Sequence, residues 1–351
     1  MTANLAETTS ELLPETMRVN VLAAAGVMHL EQRDVPRPAG DQVLVQVGSV
    51  GICGSDVHYY RHGRIADYVV REPLILGHEA GGVIVAVGDR VSVDRIGQRV
   101  ALEPGVPCRH CRECKHGRYN LCAQVRFFAT PPVDGTFAEY VVIAADFAHP
   151  IPDSITDDGA GLIEPLSVGV WACSKAEVSV GSRVLISGAG PIGLMTAQVA
   201  KASGAAQIVV TDIAQARLAT AVRFGATDVV DAQTCDAADG FEVDAFIDCS
   251  GAEPAVRAGI RAVRPAGRVV LVGMGADTIS LPVGLIQGGE LTITGTFRYA
   301  NTYPTAIALA ASGVIQLDSM VTGHYTLEQA EAALKRAGDP TAIKVIVRPG
   351  Q

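Results

Sequence analysis

An apolar run, Arg183-Val184-Leu185-Ile186-Ser187, leads into Gly188-Ala189-Gly190-Pro191-Ile192-Gly193, and a helical apolar stretch over 193–203 follows. No other feature constrains the fold as tightly. A strand that turns through G-x-G-x-x-G into a helix is half of a βαβ unit. The pattern then repeats, with a strand at 207–211, a helix at 217–224 and strands at 228–230, 245–248 and 268–272. Strands alternating with helices predict a doubly wound parallel sheet. Gly188 allows the tight turn, Gly190 lets a pyrophosphate approach the backbone, and Gly193 permits close helix–strand packing. The helix N-terminus at Ile192 and Gly193 offers free N–H groups and a favourable dipole for phosphates. The next strand ends at Asp212. An acid there hydrogen-bonds ribose hydroxyls and repels a 2′-phosphate, which favours NAD over NADP. Arg217 is open to two readings: it neutralises such a phosphate, or it flanks the adenine.

The segment CRHCRECKHGRYNLC places Cys108, Cys111, Cys114 and Cys122 at C-x2-C-x2-C-x7-C spacing. Four thiolates gathered by short loops make a closed tetrahedral cage for Zn²⁺. A cage with no open position does no chemistry, so this is read as a structural zinc that staples a loop. His110 and His116, inside the segment, are expected to face solvent.

A chain of 351 residues exceeds one ordinary core, so two domains are expected. The 28 basic residues are outnumbered by 37 acidic ones and form no run, which excludes nucleic acid as a partner. The apolar stretch 184–200 is broken by glycines and Pro191 and is too short to span a membrane. The start, MTANLAETTSELLPET, lacks the basic and apolar regions of a secretory leader. It reads as a flexible tail over 1–17, and a cytoplasmic location is expected. In that setting the eight cysteines point to metal rather than disulfides. Cys173, Cys235 and Cys249 read as buried thiols. Residues 17–100 are β-rich, with strands at 43–52 and 81–88, and a further strand lies near 137–143. A helix is expected over 160–176, another near 327–336 and a strand near 342–347. The C-terminal stretch is a candidate to return to the first domain.

Cys53 in GICGSDVH, His78 and Glu79 in LGHEAGG, and Glu164 in IEPLSVG form a second set of metal donors. Cysteine, histidine and carboxylate can hold one zinc while leaving a position open for substrate or water. Each residue alone also has an ordinary reading: a buried thiol, a turn histidine, a helix N-terminal acid. The joint pattern, in a chain with a zinc cage and a dinucleotide turn, favours the metal.

Gly77-His78-Glu79-x-x-Gly82-x5-Gly88 resembles the zinc signature of the medium-chain alcohol dehydrogenase superfamily. Cys53-Gly54-Ser55-Asp56-x-His58-Tyr59 is similar to its polyol branch, the sorbitol, xylitol and L-arabinitol dehydrogenases. So are Phe127-Phe128-Ala129-Thr130-Pro131-Pro132, Glu164-Pro165-Leu166-Ser167-Val168-Gly169 and Phe297-Arg298-Tyr299. Within the branch the likeness to sorbitol dehydrogenases is greatest, from about Val19 to the C-terminus. The four-cysteine cage is a microbial trait in that branch. The resemblance implies a Rossmann coenzyme domain over 159–299 and a β-rich GroES-like catalytic domain over 18–158 and 300–351. It implies a catalytic zinc on Cys53, His78 and Glu79, with Glu164 as fourth ligand or as partner of the zinc water. Tyr59, Arg298 and Tyr299 match substrate-contacting positions. Asp212, Arg217, Val272, Gly273, Met274, Thr296, Phe297 and Arg298 match coenzyme contacts, alongside Gly188, Gly190, Ile192 and Gly193.

The implied reaction is oxidation of a polyol secondary alcohol to a ketose, with two Zn²⁺ and NAD per chain. Zinc lowers the hydroxyl pKa. Ser55 and His58 are expected to relay the proton outward, with Glu164 as a further participant. A harder, wetter site with glutamate in place of a cysteine suits a substrate that offers two oxygens. Phe127 and Phe128 are read either as cleft walls or as core aromatics. The rival readings are a zinc dehydrogenase acting on threonine or a simple alcohol, a zinc-stapled nucleotide-binding protein without turnover, and a zinc-free quinone reductase. The last has no use for Cys53 and His78-Glu79. A homo-oligomer, dimer or tetramer, is expected from strand 268–272 and the LPVGLI run at 281–286, read as edges that pair between copies.

Overall fold

The structure is a computed structural model that describes residues 13–236 and 240–350. It divides into two compact units, Met1–Glu164 with Leu317–Gln351, and Pro165–Gln316. The divisions at 164/165 and 316/317 fall later in the chain than those expected at 158/159 and 299/300. The expected tail lies mostly outside the described residues, and Thr16 and Met17 already pair with Asp34 and Arg33.

The first unit begins with strands β1 (Thr16–Ala24), β2 (Val27–Asp34) and β3 (Gln42–Gly51). Helix α1 (Gly54–His62) follows, then β4 (Leu74–Ile75), β5 (Glu79–Val87) and β6 (Arg99–Leu102). The cysteine lobe holds β7 (Gly105–Val106), the short helix α2 (Arg112–Lys115) and β8 (Arg126–Phe127). Strands β9 (Tyr140–Ala144) and β10 (Ala148–Pro150) lead to helix α3 (Asp157–Lys175), which contains Pro165 at the boundary between the units. Val43, Leu44, Val45 and Val47 of β3 are all buried, as a strand with partners along both edges requires. Strand β3 pairs with β5 and with β9, so it is the spine of this unit.

The second unit runs β11 (Arg183–Ser187), α4 (Pro191–Ala202), β12 (Gln207–Asp212), α5 (Gln215–Arg223), β13 (Asp228–Asp231) and β14 (Val243–Asp248). It continues with α6 (Glu253–Ala262), β15 (Val263–Leu271), α7 (Val283–Gly288), β16 (Thr292–Gly295) and α8 (Tyr303–Ala311). The sheet order is β13-β12-β11-β14-β15-β16, and every pair is parallel. That is the doubly wound order, with its reversal between β11 and β14. Val184, Leu185 and Ile186 are fully buried, which explains their uninterrupted apolar run. Pro191 opens α4, where its missing N–H costs nothing.

Three sequence expectations need correction here. The LPVGLI run is not an edge strand: Val283–Gly288 is helical, and the edge is β16, because β15 lies between β14 and β16. Helix α8 belongs to the second unit, because Tyr303 and Ala306 bury one side of it there. Cys235 is exposed, unlike Cys173.

The chain returns to the first unit through β17 (Val321–Thr326), α9 (Ala330–Ala337) and β18 (Lys344–Arg348). Strand β18 pairs with β3 through Ile346↔Gly51 and Val347↔Val50, and with β17. The first sheet therefore has seven strands, ordered β10-β6-β5-β3-β18-β17, with β9 also on β3. The return brings Lys344 against Ile52 and Glu79.

Candidate active site

Cys53 is the N-cap of α1, and its position is set by Asp56. The Asp56 carboxylate is fully buried and accepts from Cys53 N and from Gly77 N, each at 3.0 Å. A carboxylate three residues into a helix, reaching back to the cap N–H, is half of a capping box. Here the same group also grips the turn before His78. Gly77 has φ 88°, a left-handed conformation that would strain any other residue. His78 Nδ1 lies 3.5 Å from Asp56 Oδ1, which leaves Nε2 as the ring nitrogen that could meet a metal. Burial opposes ionisation of Asp56, yet His78 and the two backbone donors hold its carboxyl below the usual value. Burial likewise disfavours protonated His78, but Asp56 and Cys53 raise its pKa well above 6.5. A metal on this ring therefore competes with a proton.

Glu79 starts β5 and is 1% exposed. Its Oε1 accepts from Lys344 Nζ at 2.6 Å. Its Oε2 is 2.5 Å from the same ammonium, so Lys344 faces both carboxylate oxygens. Lys344 is 2% exposed and also donates to the Ile52 carbonyl at 3.0 Å. Burial opposes the charge on Lys344, while Glu79, Cys53 and Glu164 favour it and raise its pKa. A Cβ on Gly51 would run into Glu79 Oε2, so this glycine makes room for the carboxylate.

The donor atoms of Cys53, His78 and Glu79 all lie within 4.8 Å of one another. Three donors of sulfur, nitrogen and oxygen type fit a zinc ion with an open position. Glu164 is buried on α3 but lies outside this set. Phe127 lies beside His78, with ring centroids 5.7 Å apart. Ser55 is half-buried in the first turn of α1, and Tyr59 is buried in the unit's core. His58 is exposed and lies against His62, ring centroids 4.6 Å apart and planes tilted by 55°.

Cys108, Cys111, Cys114 and Cys122 form the second set within 4.8 Å. The Sγ atoms of Cys111 and Cys114 are 3.4 Å apart and those of Cys108 and Cys114 3.9 Å. These spacings exceed the ~2 Å of a disulfide and suit thiolates around one ion. His110 and His116 are exposed, each bonded to a nearby carbonyl through Nδ1.

In the second unit, Gly188 has φ 91°. A Cβ at Gly193 would fall on the Gly188 carbonyl, whereas a Cβ at Gly190 would meet nothing within 4 Å. The open space over Gly190, at the start of α4, is the cradle a pyrophosphate needs. Asp212 Oδ2 accepts from Ala189 N at 2.8 Å and Oδ1 from Ala214 N at 2.9 Å, so this acid braces the turn as well. Arg217 lies in the first turn of α5, partly buried. Val272 N and Gly273 N both donate to the Asp248 carbonyl at 2.9 Å, and Met274 is 68% exposed. Thr296 N donates to Leu271 O. Arg298, with φ 53°, stacks on Phe297 at 4.8 Å, and Tyr299 is buried against Tyr303.

Residues 39–153 match the alcohol dehydrogenase GroES-like domain, and residues 191–312 match the zinc-binding dehydrogenase domain. The chain is 43% identical to sorbitol dehydrogenase of Bacillus subtilis over 349 residues, 97% of this chain and 99% of that one. The chain belongs to the zinc-binding alcohol dehydrogenase family. Another member, the probable D-xylulose reductase A of Neosartorya fischeri, is 42% identical over 93% of this chain and 95% of its own. A solved alcohol dehydrogenase of E. coli CFT073, complexed with NADH, superposes with a TM-score of 0.90 at 30% identity, covering 96% and 100% of the two chains. The family accounts for the architecture, a GroES-like domain joined to a Rossmann-type parallel sheet.

Within this dehydrogenase site, sequence reasoning missed Asp56 as an organiser, Lys344 and Asp248. A C-x-x-D spacing at a helix start was a usable signal for Asp56. A lone lysine inside the apolar strand around Ile343–Val347 was one for Lys344, since a buried charge needs a partner.

Proposed function

We propose that this chain is an NAD-dependent, zinc-dependent dehydrogenase that oxidises a secondary alcohol of a sorbitol- or xylitol-type polyol to the ketose. The observation that carries this reading is the convergence of half-buried Cys53 with buried His78 and Glu79 in a chain similar over nearly its whole length to sorbitol dehydrogenases. Zinc bound there would supply the Lewis acidity that brings an alcohol's pKa toward neutrality, and NAD would accept the hydride. The chain's own residues do the rest. Asp56 fixes the His78 ring and the Cys53 loop. Lys344 balances the Glu79 charge so that the donor set does not repel an alkoxide. Glu164 hydrogen-bonds the water or substrate oxygen at the open position. Ser55 and then His58, on the first turns of α1, pass the proton to solvent. Tyr59, Arg298 and Tyr299 supply donors suited to a hydroxyl-rich substrate.

On the coenzyme side, the 188–193 turn holds the pyrophosphate, Asp212 the adenosine ribose, and residues 272–274 and 296–298 the nicotinamide half. The four-cysteine cage holds the second zinc. Among the described residues no helix is long and apolar enough to cross a membrane. We place the protein in the cytoplasm, where reduced thiols such as this cage persist. We propose a homo-oligomer through the edge strand β16, beside the exposed Val283 and Leu285. A monomer mass in light scattering would refute it.

The test is zinc per chain with NADH formation on sorbitol, xylitol, threonine and ethanol. Two zincs and polyol-dependent NADH support the reading. Turnover on threonine or ethanol alone favours another dehydrogenase of the same build. One zinc without turnover favours a binding protein.

A further inference from the structure

Asp248 ends β14 where the sheet order reverses, opposite Ser187 at the end of β11. The crevice beyond such a reversal is where open α/β sheets bind ligands. Asp248 is 1% exposed. A carboxylate that deep needs donors, and it has them. Its Oδ1 accepts from Ser187 Oγ and Ser250 Oγ at 2.7 Å and from Ser250 N at 3.0 Å, and its Oδ2 accepts from Gly251 N at 3.1 Å. Its carbonyl accepts from Val272 N and Gly273 N. One residue thereby ties together the end of β11, the 249–251 turn and the 272–275 segment.

Beyond these side-chain bonds, the segments also touch backbone to backbone. A Cβ on Gly273 would fall on Gly251 N, and one on Gly275 would fall on the Gly251 carbonyl. A Cβ on Gly188 would lie 3.2 Å from Cys249 and from Ser250 N. Backbone in direct contact has no soft side chain to absorb a displacement. A shift of 249–251 is therefore passed to Gly188, in the phosphate turn, and to 272–275.

We infer that Asp248 is the positioning residue of the coenzyme crevice: its carboxylate sets the spacing between the Gly188 turn and the 272–274 segment that faces the nicotinamide half. The inference rests on the NAD reading above. The adenosine half is held from β12 by Asp212, a different strand. Loss of the Asp248 acceptors should therefore weaken the whole dinucleotide far more than its adenosine half alone.

The experiment compares wild type, Asp248→Asn and Ser250→Ala, all zinc-loaded, with NADH and the phosphate-free probe adenosine in isothermal titration calorimetry. Asparagine keeps the shape but turns an N–H₂ toward donors. The expected result is a Kd for NADH raised about tenfold in Asp248→Asn, with adenosine changed by less than about twofold. Ser250→Ala, which removes one donor and spares the carboxylate, should show the same split at about threefold, and it serves if Asp248→Asn does not fold. Equal losses for NADH and adenosine in the folded variants would make Asp248 merely structural and overturn the inference, as would unchanged NADH affinity. Wild type that binds no NADH would instead refute the NAD reading on which it rests.

Discussion

Two glycines of one turn fail in different ways when changed. Gly193→Ala drives a methyl onto the Gly188 carbonyl, so it should both destabilise the second unit and weaken coenzyme. Gly190→Ala meets no protein atom, so it should fold with an unchanged unfolding temperature and yet lose about tenfold or more in NADH affinity, because its methyl occupies the cradle. Thermal unfolding alongside NADH titration separates the two. If Gly190→Ala binds NADH normally, the pyrophosphate does not lie over this glycine. The Lys344–Glu79 pair makes a second residue-scale prediction. Removing one partner of a buried pair leaves a bare charge, which costs about 3–5 kcal/mol. Lys344→Met should show that loss by urea unfolding in metal-free protein and a smaller loss when zinc-loaded, because zinc offers Glu79 another counter-charge. Equal losses in both states would mean that Glu79 does not see the metal. These roles were unevenly legible. The glycine turn declares itself in six consecutive residues. Lys344 and Glu79 are separated by 265 positions, and nothing local to either names the other.

Among elements, the cysteine lobe depends most on what it binds. Its strands β7 and β8 are two residues long, its helix α2 has four, and of its four cysteines only Cys122 is buried. So small a lobe cannot build a core, and metal or disulfide has to supply the missing stability. Polar contacts also tie it down: Tyr119 Oη donates to Glu103 at 2.6 Å, His149 meets the other Glu103 oxygen at 2.8 Å, and Arg109 donates to Asp41 at 3.0 Å and to Asp146 at 2.6 Å. Cys111→Ser should lower zinc from two per chain to one and raise amide exchange across 105–127 while sparing the second unit. Unchanged zinc content would place the metal elsewhere. The lobe was readable because ligand spacing is a local property. The helical fate of Val283–Gly288 was not, because a six-residue apolar run carries no period that separates strand from helix.

For the molecule as a whole, the decisive fact is that the first unit is discontinuous: β18 joins β3 across nearly the full length of the chain. No sequence period reports such a pairing, which is why only a candidate return was readable. The unit boundary at 316/317 was missed for a related reason, since α8 is apolar and its partners are set by packing rather than by pattern. The division of labour that follows is testable. The metal donors all belong to the first unit and the dinucleotide turn to the second. A ligand that binds only the native state stabilises what it touches, by about 2.7 kcal/mol at a hundredfold excess over Kd. Hydrogen exchange with and without NADH should therefore show protection gained at 183–193, 212–214, 248–251 and 272–275. Chelation of zinc should show protection lost at 51–56, 77–79 and 105–127. Chelator-induced loss of equal size across 183–275 would mean that the metal sites support the second unit as well, and the two units would then have to be treated as one thermodynamic body.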